Sequence, residues 1–162
     1  MTSEHGDISL LEHPEAQRLL KSTNMAHLAY IWPDGTPRVV PIWFEWNGQE
    51  IVLGTPIGAP KVKALMANPN VALTIDEEVW PYKALMIRGT VKVDVQDGVT
   101  PEYAAAAKRY FGEEGGTQWI KQLEQLPAKS ARIALTPGWV TVIDFEQRFP
   151  SALEKAMEEA QK

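Results

Sequence analysis

Read along the chain, the apolar positions change period several times, and each change marks an element. Residues 8–20, ISLLEHPEAQRLL, carry Leu10, Leu11, Ala16, Leu19 and Leu20 close to helical spacing. Pro14 suits the first position of a regular helix. Residues 25–32, MAHLAYIW, then read as a strand, and PDGT at 33–36 as a turn with Asp34 and Gly35 at its tip. Residues 37–46, PRVVPIWFEW, are β-branched and aromatic and predict a second strand. Asn47 and Gly48 predict a tight hairpin into a third strand, QEIVLGT at 49–55. Turns this short imply an antiparallel meander.

A short helix, PKVKALMANP, follows and is closed by Asn68 and Pro69. Residues 70–77 and 82–95 are two further strands, with Gly89 inside the second as a bulge or bend. Residues 100–112, TPEYAAAAKRYFG, carry a full set of helix signals: Thr100 as cap, Pro101 at the first position, Gly112 as terminator. A short helix TQWIKQLEQL comes next, then late strands SARIALTP and WVTVIDFE, then a terminal helix capped by Ser151. Six to seven strands in hairpins with helices between them predict a mainly β chain, a small antiparallel barrel with helical decoration. One domain spanning 1–162 is expected: N-terminal helix 8–21, barrel core 25–97 and 130–146, helical insertion 100–126, C-terminal helix 150–161.

Composition narrows the chemistry. The 162 residues are 44% hydrophobic and 23% charged, with a net charge of -5, which argues against a nucleic-acid partner. No apolar run is long enough to span a membrane and no secretory signal is visible, so the cytoplasm is the expected location. Without cysteine there is no disulfide or thiolate chemistry. The three histidines, His5, His13 and His27, lack metal-ligand spacing, so no metal site is expected. No G-x-S-x-G, Walker loop or G-x-G-x-x-G occurs.

What remains is GTPIGAPKVKAL at 54–65. A Gly- and Pro-rich turn opens a helix, and Lys61 and Lys63 stand in its first turn, where the helix dipole disfavours cations. They are either solvated surface lysines or the basic half of an anion site that adds charge to the helix N-terminus.

Between about residues 26 and 95 the chain resembles the pyridoxamine 5'-phosphate oxidase-like family, the FMN-binding split barrels. The resemblance rests on an ordered set: Asp34, Gly35, Pro37 and Pro41 as DG-x-P-x-x-x-P, then Thr55, then Lys61 and Lys63, then Leu65, Asn68 and Pro69 as L-x-x-N-P, then Arg88 and Gly89. It implies a flavin-dependent oxidoreductase, a homodimer with flavin mononucleotide (FMN) in a groove between two split barrels. Basic residues at Lys61 and Lys63 and the hydroxyl of Thr55 would meet the phosphate. The strand Arg38, Val39, Val40, Pro41, Ile42 and Trp43 would run beside the isoalloxazine ring, and Arg88 would reach phosphate or substrate, or else pair with an acid such as Asp76. Trp43 reads equally as a core or interface aromatic. Pro60 stands where the oxidase proper usually has arginine. Arg148 stands alone where that enzyme has R-L-x-x-R, which argues against pyridoxamine 5'-phosphate as substrate. A second branch, reductases using the deazaflavin coenzyme F-420, is the alternative, with Lys61, Lys63, Lys83 and Arg88 as a basic groove. A non-catalytic FMN-binding protein is a further one. Catalytic residues and the small-molecule substrate are not legible.

Overall fold

The computed structural model describes residues 4–162. Seven strands form one antiparallel sheet: β1 Ala26–Ile31, β2 Pro37–Ile42, β3 Glu45–Trp46, β4 Ile51–Pro56, β5 Asn70–Asp76, β6 Lys83–Asp97 and β7 Lys129–Asp144. Their order is β2-β1-β5-β6-β7-β4-β3. A 3-10 turn, Ile8–Glu12, precedes α1 (Pro14–Leu20), and α2 (Pro60–Ala67), α3 (Pro101–Glu124) and α4 (Ser151–Ala160) complete the chain.

This order corrects two expectations. Residues 37–46 are not one strand, and strands one to three are not a meander. β2 pairs with β1, and β3 pairs with β4, at opposite edges of the sheet. Only Trp43 and Phe44 join them. Laid flat, the edges of seven strands lie about 29 Å apart, yet the three residues from Ile42 to Glu45 reach at most about 11 Å. The sheet must therefore curl until its edges meet. That is the closure of the barrel, and the absence of a β2–β4 ladder is its split. The late strands, read as two, are the single long strand β7, paired with β6 along its whole length except at a bulge between Arg88 and Gly89.

Alternation supplies the core. Leu28, Leu73, Ile75, Leu85, Ile87, Ile133 and Leu135 point inward and are fully buried, while their neighbours on each strand face out. α1 and α2 close opposite ends. Asn24, just after α1, donates to the Asp76 carbonyl at the end of β5 (2.8 Å), and α2 leads directly into the start of β5. α2 buries Val62, Ala64 and Leu65 against the barrel.

Thr100 caps α3, its hydroxyl accepting from Tyr103 N. Gly112 breaks the helix with φ 81° and ψ 166°, where the sequence signal put its end. Residues 113–124 double back on 101–111. A Cβ on Gly116 would stand 2.6 Å from the backbone of Lys108, so glycine is what permits the close crossing. The first half lies over β4 and is tied to β7 by Arg132, whose Nε donates to Glu102 Oε1 (2.8 Å). At α4, Ser151 is the first helical residue and makes no side-chain cap.

The seam is pinned by Arg109 of α3. Its guanidinium donates to the Phe44 carbonyl, to Glu45 Oε2 and to the Ser22 carbonyl, and lies 4.8 Å from the Phe44 ring centroid. Tyr110 adds a bond from its hydroxyl to the Asn24 carbonyl (2.8 Å). Arg109→Ala strips these partners at once and strands the Glu45 carboxylate. A loss of about 3 kcal/mol is expected in urea denaturation, with Arg109→Lys recovering only part because it lacks the fork.

Candidate functional site

The split runs between β2 and the C-terminal end of β4. β2 is an edge strand whose outer N–H and C=O groups face no other strand. Val39 and Pro41 are exposed on it, Val40 is half-buried and Ile42 is buried. The β3–β4 register pairs Glu45 with Val52; continued back across the seam, it sets Pro41 and Ile42 roughly level with the end of β4. There Thr55 is buried, 8% exposed. One wall is thus an apolar strand with open backbone donors, and the other ends in a buried hydroxyl.

From Thr55 the chain turns through residues 56–59 into α2. Two amides of this turn are used, Ile57 N to the Lys129 carbonyl and Ala59 N to the Pro56 carbonyl, both 3.0 Å. Ala59 at the N-cap has no side-chain bond to offer and Pro60 has no N–H, while Val62 N donates to the Ala59 carbonyl (3.0 Å), so the Lys61 amide is the first-turn donor left without the usual cap.

Lys61 and Lys63 are not equivalent. Two positions apart on a helix, they leave different faces: Lys61 is half-buried and Lys63 exposed. Burial alone depresses the Lys61 pKa, which identifies a cation taken partly out of water with no carboxylate to compensate. The other basic residues in question differ. Arg38 lies over Trp32 at 4.8 Å. Lys83, expected in a basic groove, pairs instead with Glu146 (2.8 Å) and Glu15 (3.6 Å).

Arg88 lines a separate groove, an open one of about 520 Å³ across the outer face of the sheet. Its floor is small, with Ala29, Ala72 and Gly138. The Arg88 guanidinium lies 3.9 Å above the Trp139 ring rather than against Asp76, which sits near His27 and Thr74. Within one chain Thr55, Lys61 and Lys63 follow one another through the turn from β4 into α2, and Arg88 lies in the groove on the outer face of the sheet.

Trp43 turns toward α3. It stacks on Tyr110 (5.0 Å, 8°) and meets Phe111 edge-on (4.9 Å) and Tyr103 at a tilt (5.6 Å). Its ring thus anchors the seam, and its backbone lies just past the end of β2. Sequence reasoning missed this cluster and Arg109 with it; an arginine and a tyrosine side by side in an alanine-rich helix were the available signal.

The family model of pyridoxamine 5'-phosphate oxidase matches residues 12–144. No curated protein matches. Among solved structures, an F420 reductase is 25% identical, with 77% of this chain and 94% of that one covered and a TM-score of 0.58. A conserved hypothetical protein from Mycobacterium tuberculosis is 18% identical, with 90% of each chain covered and a TM-score of 0.67. An FAD-binding protein from Mesorhizobium loti is 18% identical, covering 80% of this chain and 92% of that one at a TM-score of 0.53.

The bulge that aims Arg88 has no room to spare: a Cβ on Gly89 would stand 2.1 Å from the Thr136 carbonyl oxygen. Gly89→Ala is expected to destabilise by about 3 kcal/mol, read from the denaturation midpoint, and to shift the Trp139 resonances. With the split, the α2 turn and the family match in hand, the chain belongs to the pyridoxamine 5'-phosphate oxidase family.

Proposed function

We propose that this protein is an oxidoreductase working through a flavin-type cofactor, FMN in the first reading, with the phosphate held at the start of α2. The observation that carries this is Lys61: a half-buried ammonium with no carboxylate partner among the described residues, at a helix N-terminus without a side-chain cap, one turn on from the buried Thr55. A phosphate placed there accepts from the Lys61 amide and restores to the Lys61 ammonium the counter-charge its burial lacks. The exposed edge of β2 suits the ring, since its non-proline amides offer donors to the polar rim and the half-buried Val40 offers apolar surface. When bound, such a cofactor supplies hydride or electron transfer; the chain's part is to hold, orient and shield it. The similarity to an F420 reductase at 25% identity favours a deazaflavin as the second reading.

In this proposal the protein is a homodimer. Arg88 and Trp139 sit on the exposed outer face of the sheet, over a flat floor of small side chains, and Val39 on the adjoining edge strand is 66% exposed. A second copy laid on that face buries Val39 and delivers Arg88 to its neighbour's site. The substrate is a small molecule that enters beside the ring.

Purified protein should carry, or bind when supplied, riboflavin phosphate or the deazaflavin, seen by absorbance and mass spectrometry of the heat-released material. Failure to bind either below about millimolar sinks the proposal. Lys61→Ala should weaken binding at least about tenfold, near 1.4 kcal/mol, and more than Lys63→Ala does. Affinity should also fall as pH rises, before the ordinary lysine value of 10.5 is reached, because burial has already made Lys61 easier to deprotonate; Lys61→Arg should move that fall to higher pH. Mixed dimers of Lys61→Ala with Arg88→Ala should regain about half of the sites if Arg88 acts across the interface, and none if it acts within its own chain.

A further inference from the structure

A second cavity lies on the other side of β4, beneath the returning half of α3. Its floor is Gly54, Thr55, Pro56 and Ser130, and its walls are Tyr103, Trp119 and Leu123. Val99 and Leu126 narrow its ends. The volume is about 190 Å³. Ligand pockets for cofactor-sized molecules run from about 300 Å³ upward, so no flavin fits. An apolar cavity of about 150 Å³ is known to hold benzene, so a compact ring system does.

The lining also states what kind of molecule it is. Neither a carboxylate nor an arginine faces the cavity, and Lys129 stands at its rim. The polar groups of Thr100, Tyr103, Trp119 and Ser130 along the wall are already engaged. Thr100 Oγ accepts from Tyr103 N (3.2 Å), Trp119 Nε1 donates to the Tyr103 hydroxyl (3.1 Å), and Ser130 Oγ donates to the Gly98 carbonyl (2.5 Å). An occupant is therefore selected by shape and apolar contact rather than by charge. Two glycines build the space. Gly54 lets Tyr103 lie flat on the strand, since a Cβ there would stand 2.9 Å from the Tyr103 ring. Gly112 reverses the helix so that Trp119 and Leu123 overhang the floor. The overhanging half is anchored at Gly116 and ends at the exposed Leu126, which leaves its far end as the way in.

We infer that this cavity is a binding site for a small, uncharged, apolar molecule of one or two rings, distinct from the phosphate position proposed above but sharing Thr55 with it. The floor residues Gly54 and Pro56 flank Thr55, so an occupant sits against the same strand end that feeds the α2 turn.

Titration of the full-length protein with toluene and with naphthalene, followed in ¹H–¹⁵N spectra, tests this. Saturable shifts are expected at the Trp119 indole N–H and the amides of residues 99–103, whether or not riboflavin phosphate is present. Benzoate should bind at least about tenfold more weakly than toluene. Leu123→Trp fills the cavity and should abolish the shifts with the rest of the spectrum intact; Leu126→Trp, at the exposed mouth, serves the same purpose should the first variant fail to fold. No saturable shift in the wild type, shifts that persist in the filled variants, or benzoate binding as tightly as toluene each overturns the inference.

Discussion

One guanidinium holds the topology together. The chain passes from one edge of a seven-stranded sheet to the other through Trp43 and Phe44, and Arg109 grips that crossing at the Phe44 carbonyl and at Glu45. Its third arm reaches the Ser22 carbonyl, so the crossing, the end of α1 and the middle of α3 share one point. Carbonyls at a sheet corner cannot satisfy one another through a ladder, and buried acceptors left open are costly. A planar fork with five donors answers that need where a lysine does not. The split in the barrel can stay open beside β2 because the closure is held at its other end.

That arrangement explains what the sequence shows and what it hides. The turns at Asp34 and Asn47, the bulge at Gly89 and the break at Gly112 are local events, each carried by residues whose backbone freedom or hydrogen bonding acts over a few positions, and they read directly. The exchange of sheet edges at Trp43 and Phe44 does not. Both are strong strand formers, so the local pattern continues smoothly through the point where pairing changes. What interrupts it is 65 residues away, on an alanine-rich helix. Periodicity reports which face of an element is buried; it carries no information about which edge a strand joins.

The candidate site divides in the same way. Lys61, Lys63 and Thr55 were legible because a strand, a Gly- and Pro-rich turn and a helix start are contiguous, and structure keeps contiguous things together. The inequality of the two lysines needed the barrel, since only packing decides that Val62 points in and half-buries Lys61 beside it. Lys83 illustrates the opposite failure. Its charge suited a basic groove, but Glu15 and Glu146 from distant elements converge on it.

This contrast gives Lys61 its weight. With 21 acidic side chains against 16 basic ones, a cation that comes partly out of water has an abundance of carboxylates to meet. Arg18 takes Glu15 and Glu77, Arg109 takes Glu45, Arg132 takes Glu102 and Lys83 takes two partners. Exposed lysines such as Lys63 and Lys121 need none, because water solvates them. Lys61 alone among these is half-buried without a carboxylate, and it stands at a helix end that already repels it. A position that pays twice for its charge makes physical sense when an anion completes it. The acidic surplus of the chain therefore sharpens the phosphate reading: it removes scarcity of partners as the reason Lys61 has none.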